Sequence, residues 1–341
     1  MTLMDETTEM RPYRITAVVT TYNRPAGAKR AIRSIANQTY QPAEIIVVED
    51  GSQSDLAEWL ASSAPRPVEY IRHESNKGLA AARNTGLRKA TGDYIAYLDD
   101  DDEWKPNRLE RQVELLSQLN AEERDALAVI YGGIELYTVN DDGVAGGKPV
   151  ELSPNVPAGN LQEAVKEHGL RTFPSTMLFV RGALEAVGGH DESLLSSVDH
   201  DIWMSLASAG YSSAHVRSPL VTVRMARRRK AMTVATQNRL KGICQFVDKW
   251  TPVFMEWFGP REGQVFAERY LARVVATLAA EKLSVGRFGE AQAAIRLMFE
   301  RSKQWQFNMR ILVQRIVAQI GLWILPRPLL LEIRRLRQRQ R

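Results

Sequence analysis

The sequence predicts an α/β fold: a doubly wound, mostly parallel sheet with a C-terminal helical extension. Three observations carry this. Short apolar runs, continuous rather than alternating, recur at Ile15–Thr20, Glu44–Val48 and Tyr94–Leu98. Helix-period segments separate them, and such strands belong to parallel sheets covered on both faces. After about Thr233 the strand pattern stops, and residues 235–325 read as helices throughout.

Each element follows in order. Behind the β-branched run Ile15–Thr20, the segment Pro25–Gln38 places Ala28, Ala31, Ile32 and Ile35 on one helical face. Leu56–Ser62 reads as a short helix, Val68–Ile71 as a weak strand and Gly78–Ala90 as an Ala-rich helix. Pro106–Asn120 is helical, with Leu109, Val113, Leu116 and Leu119 in phase. Val129–Gly133, Met177–Val180 and Leu220–Val223 read as further strands, and Asp199–Ala209 as a helix. Asp141–Gly147 has the composition of an exposed turn, and Arg224–Lys230 that of a mobile basic loop. Glu281–Phe299 has the small-residue texture of a helical hairpin. The expected division is a flexible N-terminus over 1–12, the α/β domain over 13–232 and the helical region over 233–341.

Composition narrows the class. With 341 residues, 44% hydrophobic and 25% charged, the chain is neither disordered, collagen-like nor disulfide-stapled. Cys244 is the single cysteine, so no internal disulfide or cysteine-based zinc site is available, and a reducing compartment is expected. Met1–Arg14 has no apolar core of a signal peptide, and no run approaches the roughly 18 apolar residues of a spanning helix. The net charge of +5 is uneven: residues 301–341 hold ten Lys or Arg against Glu332 alone. That segment is +9 and the rest of the chain is −4. The mixture of Ile, Leu, Trp and Arg over 311–336, broken by Pro326 and Pro328, suits an amphipathic segment lying on an anionic membrane surface. A cytoplasmic protein, peripheral on the inner face of the plasma membrane, is the expected setting. Nucleic acid is not an expected partner, because the main domain is acidic and carries no nucleic-acid-binding motif.

In a doubly wound sheet ligands bind at the carboxyl ends of the strands. Those ends read Thr20-Thr21-Tyr22-Asn23, Glu49-Asp50-Gly51-Ser52 and Asp99-Asp100-Asp101-Asp102. Neither a Gly-x-Gly-x-x-Gly fingerprint nor a Walker A loop is present. Four adjacent carboxylates after a buried strand repel one another, so a hard cation such as Mg²⁺ or Mn²⁺ is expected among them, with a solvated acidic turn as the alternative. Asp50 before Gly-Ser is either a turn residue or a ligand contact.

Four segments occur in sequence: VVTTYNRP at 18–25, VVEDGSQSD at 47–55, NKGLAAARNTGLRKATGDYIAYLDDDDEW at 76–104 and GGHDESLLSSVDHDIWMSLA at 188–207. Together they resemble the family 2 glycosyltransferases of GT-A fold, over about residues 13–225. The resemblance implies that Thr21, Tyr22, Asn23 and Asp50 bind the nucleotide base. It implies that Arg83 approaches the base or the diphosphate, with a surface cation as the alternative. The Asp-x-Asp motif becomes Asp99-Asp100-Asp101. Asp101 would ligate the divalent ion, Asp99 the ribose or the metal's water, and Asp100 would fill the variable position on the donor side. Where the family has Glu-Asp-x-Asp, this chain reads Val198-Asp199-His200-Asp201. Asp199 aligns with the base that deprotonates the acceptor hydroxyl, and His200 is the alternative base. His190, Asp191 and Glu192 match the loop that lines the acceptor side, with His190 standing where the family has an aromatic. Arg227, Arg228, Arg229 and Lys230 would clamp the diphosphate, or else form a solvated basic linker.

The implied activity is inverting, metal-dependent transfer of a sugar from a nucleotide-sugar, a UDP-sugar being expected, to a hydroxyl of a saccharide or lipid-linked acceptor in cell-surface glycan synthesis. The competing expectation is a catalytically silent nucleotide-sugar binder or membrane-associated scaffold. The signature of processive synthases, Gln-x-x-Arg-Trp, is absent, so one sugar per encounter is expected.

Overall fold

The structure, a computed structural model, describes residues 13–139, 148–153, 158–170, 173–226 and 236–324. These fall into two units, one of residues 1–193 and 198–230, the other of 194–197 and 231–341. In the first unit the elements are β1 (Ile15–Thr21), α1 (Pro25–Ala36), β2 (Glu44–Glu49), α2 (Leu56–Ser63), β3 (Glu69–Arg72), α3 (Leu79–Lys89), β4 (Tyr94–Asp99) and β5 (Asp102–Trp104). They continue with α4 (Arg108–Gln118), α5 (Ala121–Ala126), β6 (Leu127–Val139), β7 (Val150–Leu152), β8 (Gly159–Asn160), α6 (Leu161–His168), β9 (Leu178–Val180), α7 (Arg181–Ala186), α8 (Val198–Ser208) and β10 (Ser212–Ala226). The second unit holds α9 (Thr236–Phe258), α10 (Pro260–Ser284), α11 (Phe288–Arg301) and α12 (Trp305–Ile324).

Among the described residues one mixed sheet runs in the order β3-β2-β1-β4-β9-β6-β10-β5, with β7 on β6 and β8 on β10. Strands β3, β2, β1 and β4 are mutually parallel. β9 enters antiparallel between β4 and β6, and β10 lies parallel to β6. The mostly parallel sheet with flanking helices is the expected class. β1 shows why its strands are continuously apolar: every residue from Ile15 to Thr21 is buried. Ile15, Ala17 and Val19 join the cluster containing Ala28, Ala31, Ile32 and Ile35 of α1. On the other face a side chain at Gly86 of α3 would run into Val18, so α3 packs directly on the strand.

Several elements differ from the expectation. β6 and β10 extend well past the apolar cores Val129–Gly133 and Leu220–Val223. Tertiary pairing decides this: β10 is held parallel along β6, with irregular register around Pro219, and pairs antiparallel with β5 over Val221–Val223. β5 itself is three residues long and carries no periodic signal.

In the second unit α10 packs against α9, α11 and α12. Ala267, Ala272, Ala276, Ala279 and Ala280 of α10 are buried, small enough for close helix approach. Phe246 meets Tyr270 at 4.9 Å and Phe254 meets Phe266 at 4.8 Å between ring centroids. The hairpin expected at Glu281–Phe299 turns at Val285–Arg287, between α10 and α11. Among the described residues, no helix is long and apolar enough to cross a membrane.

Candidate functional site

The parallel register aligns three strand ends. Thr21 lies opposite Glu49, and Thr20 opposite Asp99. At this edge Thr21 Oγ1 donates to Asp100 Oδ2 at 2.7 Å. Arg24 Nη1 donates to Asp100 Oδ1 at 3.1 Å and to Asp101 Oδ2 at 3.0 Å. Asn23 takes a left-handed backbone, φ 56°, which a short polar side chain tolerates. The turn puts α1 directly over the acidic loop; at Gly27 a Cβ would strike the Asp100 carbonyl. Asp100 is 6% exposed. Burial raises its carboxyl to about 6 against the pull of Thr21 and Arg24.

Asp50 is drawn inward. It is 4% exposed. Its Oδ1 accepts from the Lys77 backbone N–H at 2.8 Å and from His73 Nδ1 at 2.8 Å, and its Oδ2 from the Gly78 N–H at 2.8 Å. His73 Nε2 lies 3.0 Å from Thr85 Oγ1 on α3. Three of the roughly four acceptor positions of this carboxylate are therefore used, two by the 77–78 backbone and one by His73, and one remains. The preceding Glu49, 1% exposed, accepts from Ser52, Ser54, Tyr70 and Arg72. Burial and the bond to Glu49 push the Tyr70 hydroxyl up to about 12.

Arg83 lies deeper than expected. It is 2% exposed. Nη2 donates to Asp99 Oδ1 at 3.0 Å and Nη1 donates to Asp199 Oδ1. Its guanidinium also lies 5.5 Å from the centre of the Tyr97 ring. Both aspartate side chains keep about a third of their surface open, 30% for Asp99 and 31% for Asp199. Burial and the neighbouring Asp199 and Asp101 charges raise Asp99, with Arg83 opposing them. For Asp199 burial acts upward, but Arg83 outweighs it and holds the group below the ordinary carboxylate range. Asp199 stands in the first turn of α8, where the helix dipole also favours its charge.

The next residue on α3, Asn84, secures the loop after α7. Its Nδ2 donates to the His190 carbonyl and to Glu192 Oε1, both at 2.8 Å, and its Oδ1 accepts the His190 N–H at 2.8 Å. Gly189, φ +71°, permits this approach, since a Cβ there would sit 2.7 Å from Asn84 Oδ1. His190 is 3% exposed and packs edge-on against Tyr97, ring centroids 5.3 Å apart. Neither ring nitrogen has a hydrogen-bond partner among the described residues. Burial, reinforced by Arg83, lowers the imidazole to about 3. Asp191 accepts from the Ser193 backbone and hydroxyl, and Glu192 remains exposed beside Arg88. His200, the alternative base, is next to Asp199 and is lowered by burial.

Arg24, Asn84, His73 and Ser175 escaped sequence reasoning. Ser175 donates to Asp102 Oδ2 at 2.6 Å and accepts the Asp99 N–H at 3.3 Å, bracing the acidic loop. Arg24 and Asn84 lay inside quoted motifs, so their position was the available signal. Arg227, Arg228, Arg229 and Lys230 lie outside the described residues.

Among the described residues no group of three His, Cys, Asp or Glu is arranged to hold a metal alone. Arg83 and Arg24 each take one oxygen of Asp99 and Asp101, leaving Asp99 Oδ2 and Asp101 Oδ1 open. Two hard carboxylate oxygens at a strand end suit Mg²⁺ or Mn²⁺, which commonly take one or two carboxylates plus substrate phosphates.

Comparisons with solved structures agree with this fold. Staphylococcus aureus TarS, residues 1–349, superposes with TM-score 0.58 at 13% identity, covering 90% of each chain. Its complex with UDP-GlcNAc gives 0.56 at 12%. A mannosyltransferase of Pyrobaculum calidifontis, in complex with GDP-Man and Mn²⁺, gives 0.50 at 16%, over 93% of this chain and 81% of its own. The fold is thus of the GT-A type.

Residues 16–141 match the model of glycosyl transferase family 2. An uncharacterized glycosyltransferase of Haemophilus influenzae is 26% identical over 239 residues, 67% of this chain and 74% of its own. The Escherichia coli enzyme named UDP-Glc:alpha-D-GlcNAc-diphosphoundecaprenol beta-1,3-glucosyltransferase WfgD is 30% identical over 137 residues, 40% of this chain and 51% of its own. The chain spans only 27–30% of the length of three Rickettsia glycosyltransferases that it matches at 29–31% identity. Over residues 16–141 the chain is similar to the family 2 glycosyltransferases.

Proposed function

We propose that this protein transfers one sugar per encounter, with inversion, from a nucleotide-sugar to a hydroxyl of a saccharide or lipid-linked acceptor in cell-surface glycan synthesis. The single observation that carries the reading is the shared guanidinium of Arg83. It joins the donor-side carboxylate Asp99 to Asp199, so a base stands beside the leaving-group end of the strand cleft. A UDP-sugar is the donor class we favour, supported by the partly free acceptor capacity of Asp50 and by the UDP-GlcNAc complex of TarS. An acceptor on a lipid diphosphate is supported by the printed activity of the Escherichia coli relative.

In this reading Thr21, Tyr22, Asn23 and Asp50 form the base pocket. Asp99 and Asp101 would hold a divalent ion, which when bound neutralises charge on the departing diphosphate. Arg24 fixes Asp101 while Thr21 and Arg24 fix Asp100, so the acidic loop is set before the donor arrives. Asp199 takes the acceptor's proton as its oxygen attacks the anomeric carbon from the face opposite the diphosphate. Arg83 orients Asp199 and keeps it ionised, ready to accept that proton. The Asn84 clamp on residues 190–192 holds the acceptor-side loop in place.

The test is a nucleotide-sugar panel measured for binding and hydrolysis with Mg²⁺ or Mn²⁺ and again with EDTA. Metal-dependent preference for one UDP-sugar supports the reading. No binding of any nucleotide-sugar under either condition rejects it.

A further inference from the structure

Helix α12 carries an apolar stripe on its outer side. Trp305, Met309, Val313 and Val317 recur at every fourth residue and are 64%, 37%, 52% and 56% exposed. Residues so spaced share one helical face. Asn308 and Leu312 are buried on the inner side, at 0% and 7% exposure, so the helix is docked in its own unit through that face. The stripe covers about 18 Å of helix at 1.5 Å per residue.

Cations gather beside it. The guanidiniums of Arg269 and Arg273 from α10 and of Arg310 from α12 surround the Phe307 ring, at 5.4, 5.5 and 5.6 Å from its centre. All three arginines are exposed. The sequence after α12 adds Arg327, Arg334, Arg335, Arg337, Arg339 and Arg341 against Glu332 alone. An apolar row bordered by guanidiniums matches the boundary of an anionic bilayer, where aliphatic and indole groups enter the acyl margin and arginines take lipid phosphates. A symmetric pairing of two copies through this face would instead bring like charges together.

We propose that α12, with Arg269, Arg273 and Arg310, binds the surface of an anionic phospholipid bilayer and holds the chain there as a peripheral protein. This goes beyond the transfer reaction and does not rest on it.

The full-length chain is to be sedimented with vesicles of phosphatidylcholine alone and with added phosphatidylglycerol, at low and high salt. Binding should require the anionic lipid and weaken with salt. The double variant Val313→Glu, Val317→Glu changes exposed residues and should keep the native helix content and melting curve. Its partition should fall by about tenfold or more, since apolar burial is lost and like charge is set against the lipid. Arg269→Gln with Arg310→Gln should shrink the preference for anionic vesicles. Brominated lipid should quench tryptophan emission less in Trp305→Phe than in the parent. Absence of vesicle binding, or equal partition of parent and glutamate variant, overturns the proposal. So does a dimer that the glutamate variant abolishes while vesicle binding persists.

Discussion

Asp99 and Asp199 are held by the two ends of one guanidinium, that of Arg83. The first ends a central strand and the second opens a helix about a hundred residues later. The pairing gives the cleft its charge pattern: two partly open carboxylates with a buried cation behind them.

Asp199→Asn should keep nucleotide-sugar affinity and lose transfer by about 10²–10⁴-fold, the usual contribution of a positioned general base. Isothermal titration with the donor and a transfer assay separate the two effects. Retained transfer would remove Asp199 from the base role and direct attention to His200.

Arg83→Met should destabilise the fold by about 3 kcal/mol, the lower end for breaking a buried ion pair, because the carboxylates it serves are partly solvated. Arg83→Lys should retain part of the stability but lose the two-pronged hold, so kcat should fall more than donor affinity. Urea unfolding and steady-state kinetics provide the readouts.

Asp101→Asn should weaken the dependence of donor binding on Mg²⁺ or Mn²⁺ while leaving metal-free nucleotide binding close to the parent. Donor affinity titrated against metal for both proteins measures this. EDTA should reduce the parent's affinity more than the variant's.

His190 should make folding sensitive to acid. When unfolded it takes up a proton near its ordinary value of 6.5; when folded it stays neutral down to about 3. Between those values the unfolded state binds more protons, so stability is greatest above pH 6.5 and falls as pH drops. The slope expected from this one group is about 1.4 kcal/mol per pH unit. His190→Phe removes the titrating group and two unpartnered nitrogens. It should be at least as stable at neutral pH and gain relative stability at pH 5, measured by denaturant unfolding across the range.

Much of the sheet was legible because burial on both faces leaves a continuous apolar record, as in β1, β2 and β4. The helices of the second unit were legible through their period. β5 and the long ends of β6 and β10 were not, because their backbone is held by partners distant in sequence rather than by local pattern. At the site, motif order singled out Asp99, Asp101 and Asp199 as candidates. Nothing in the string indicated that Arg83 would be buried between two of them, since an Arg on an Ala-rich helix reads equally well as a surface cation. Asp50 read either as a turn residue or as a ligand contact, and the fold uses most of its acceptor capacity on His73 and the 77–78 backbone.

The chain's residue order alone thus specified the α/β class, the family resemblance and the acidic segments at the strand ends. Those are properties of periodicity and of short motifs, both local. Tertiary packing decided which charges meet, as Arg83 does Asp99 and Asp199, and which polar groups are withdrawn from water, as His190 is. Ion pairing and desolvation depend on distances between residues tens to hundreds of positions apart, and only the folded chain sets those distances.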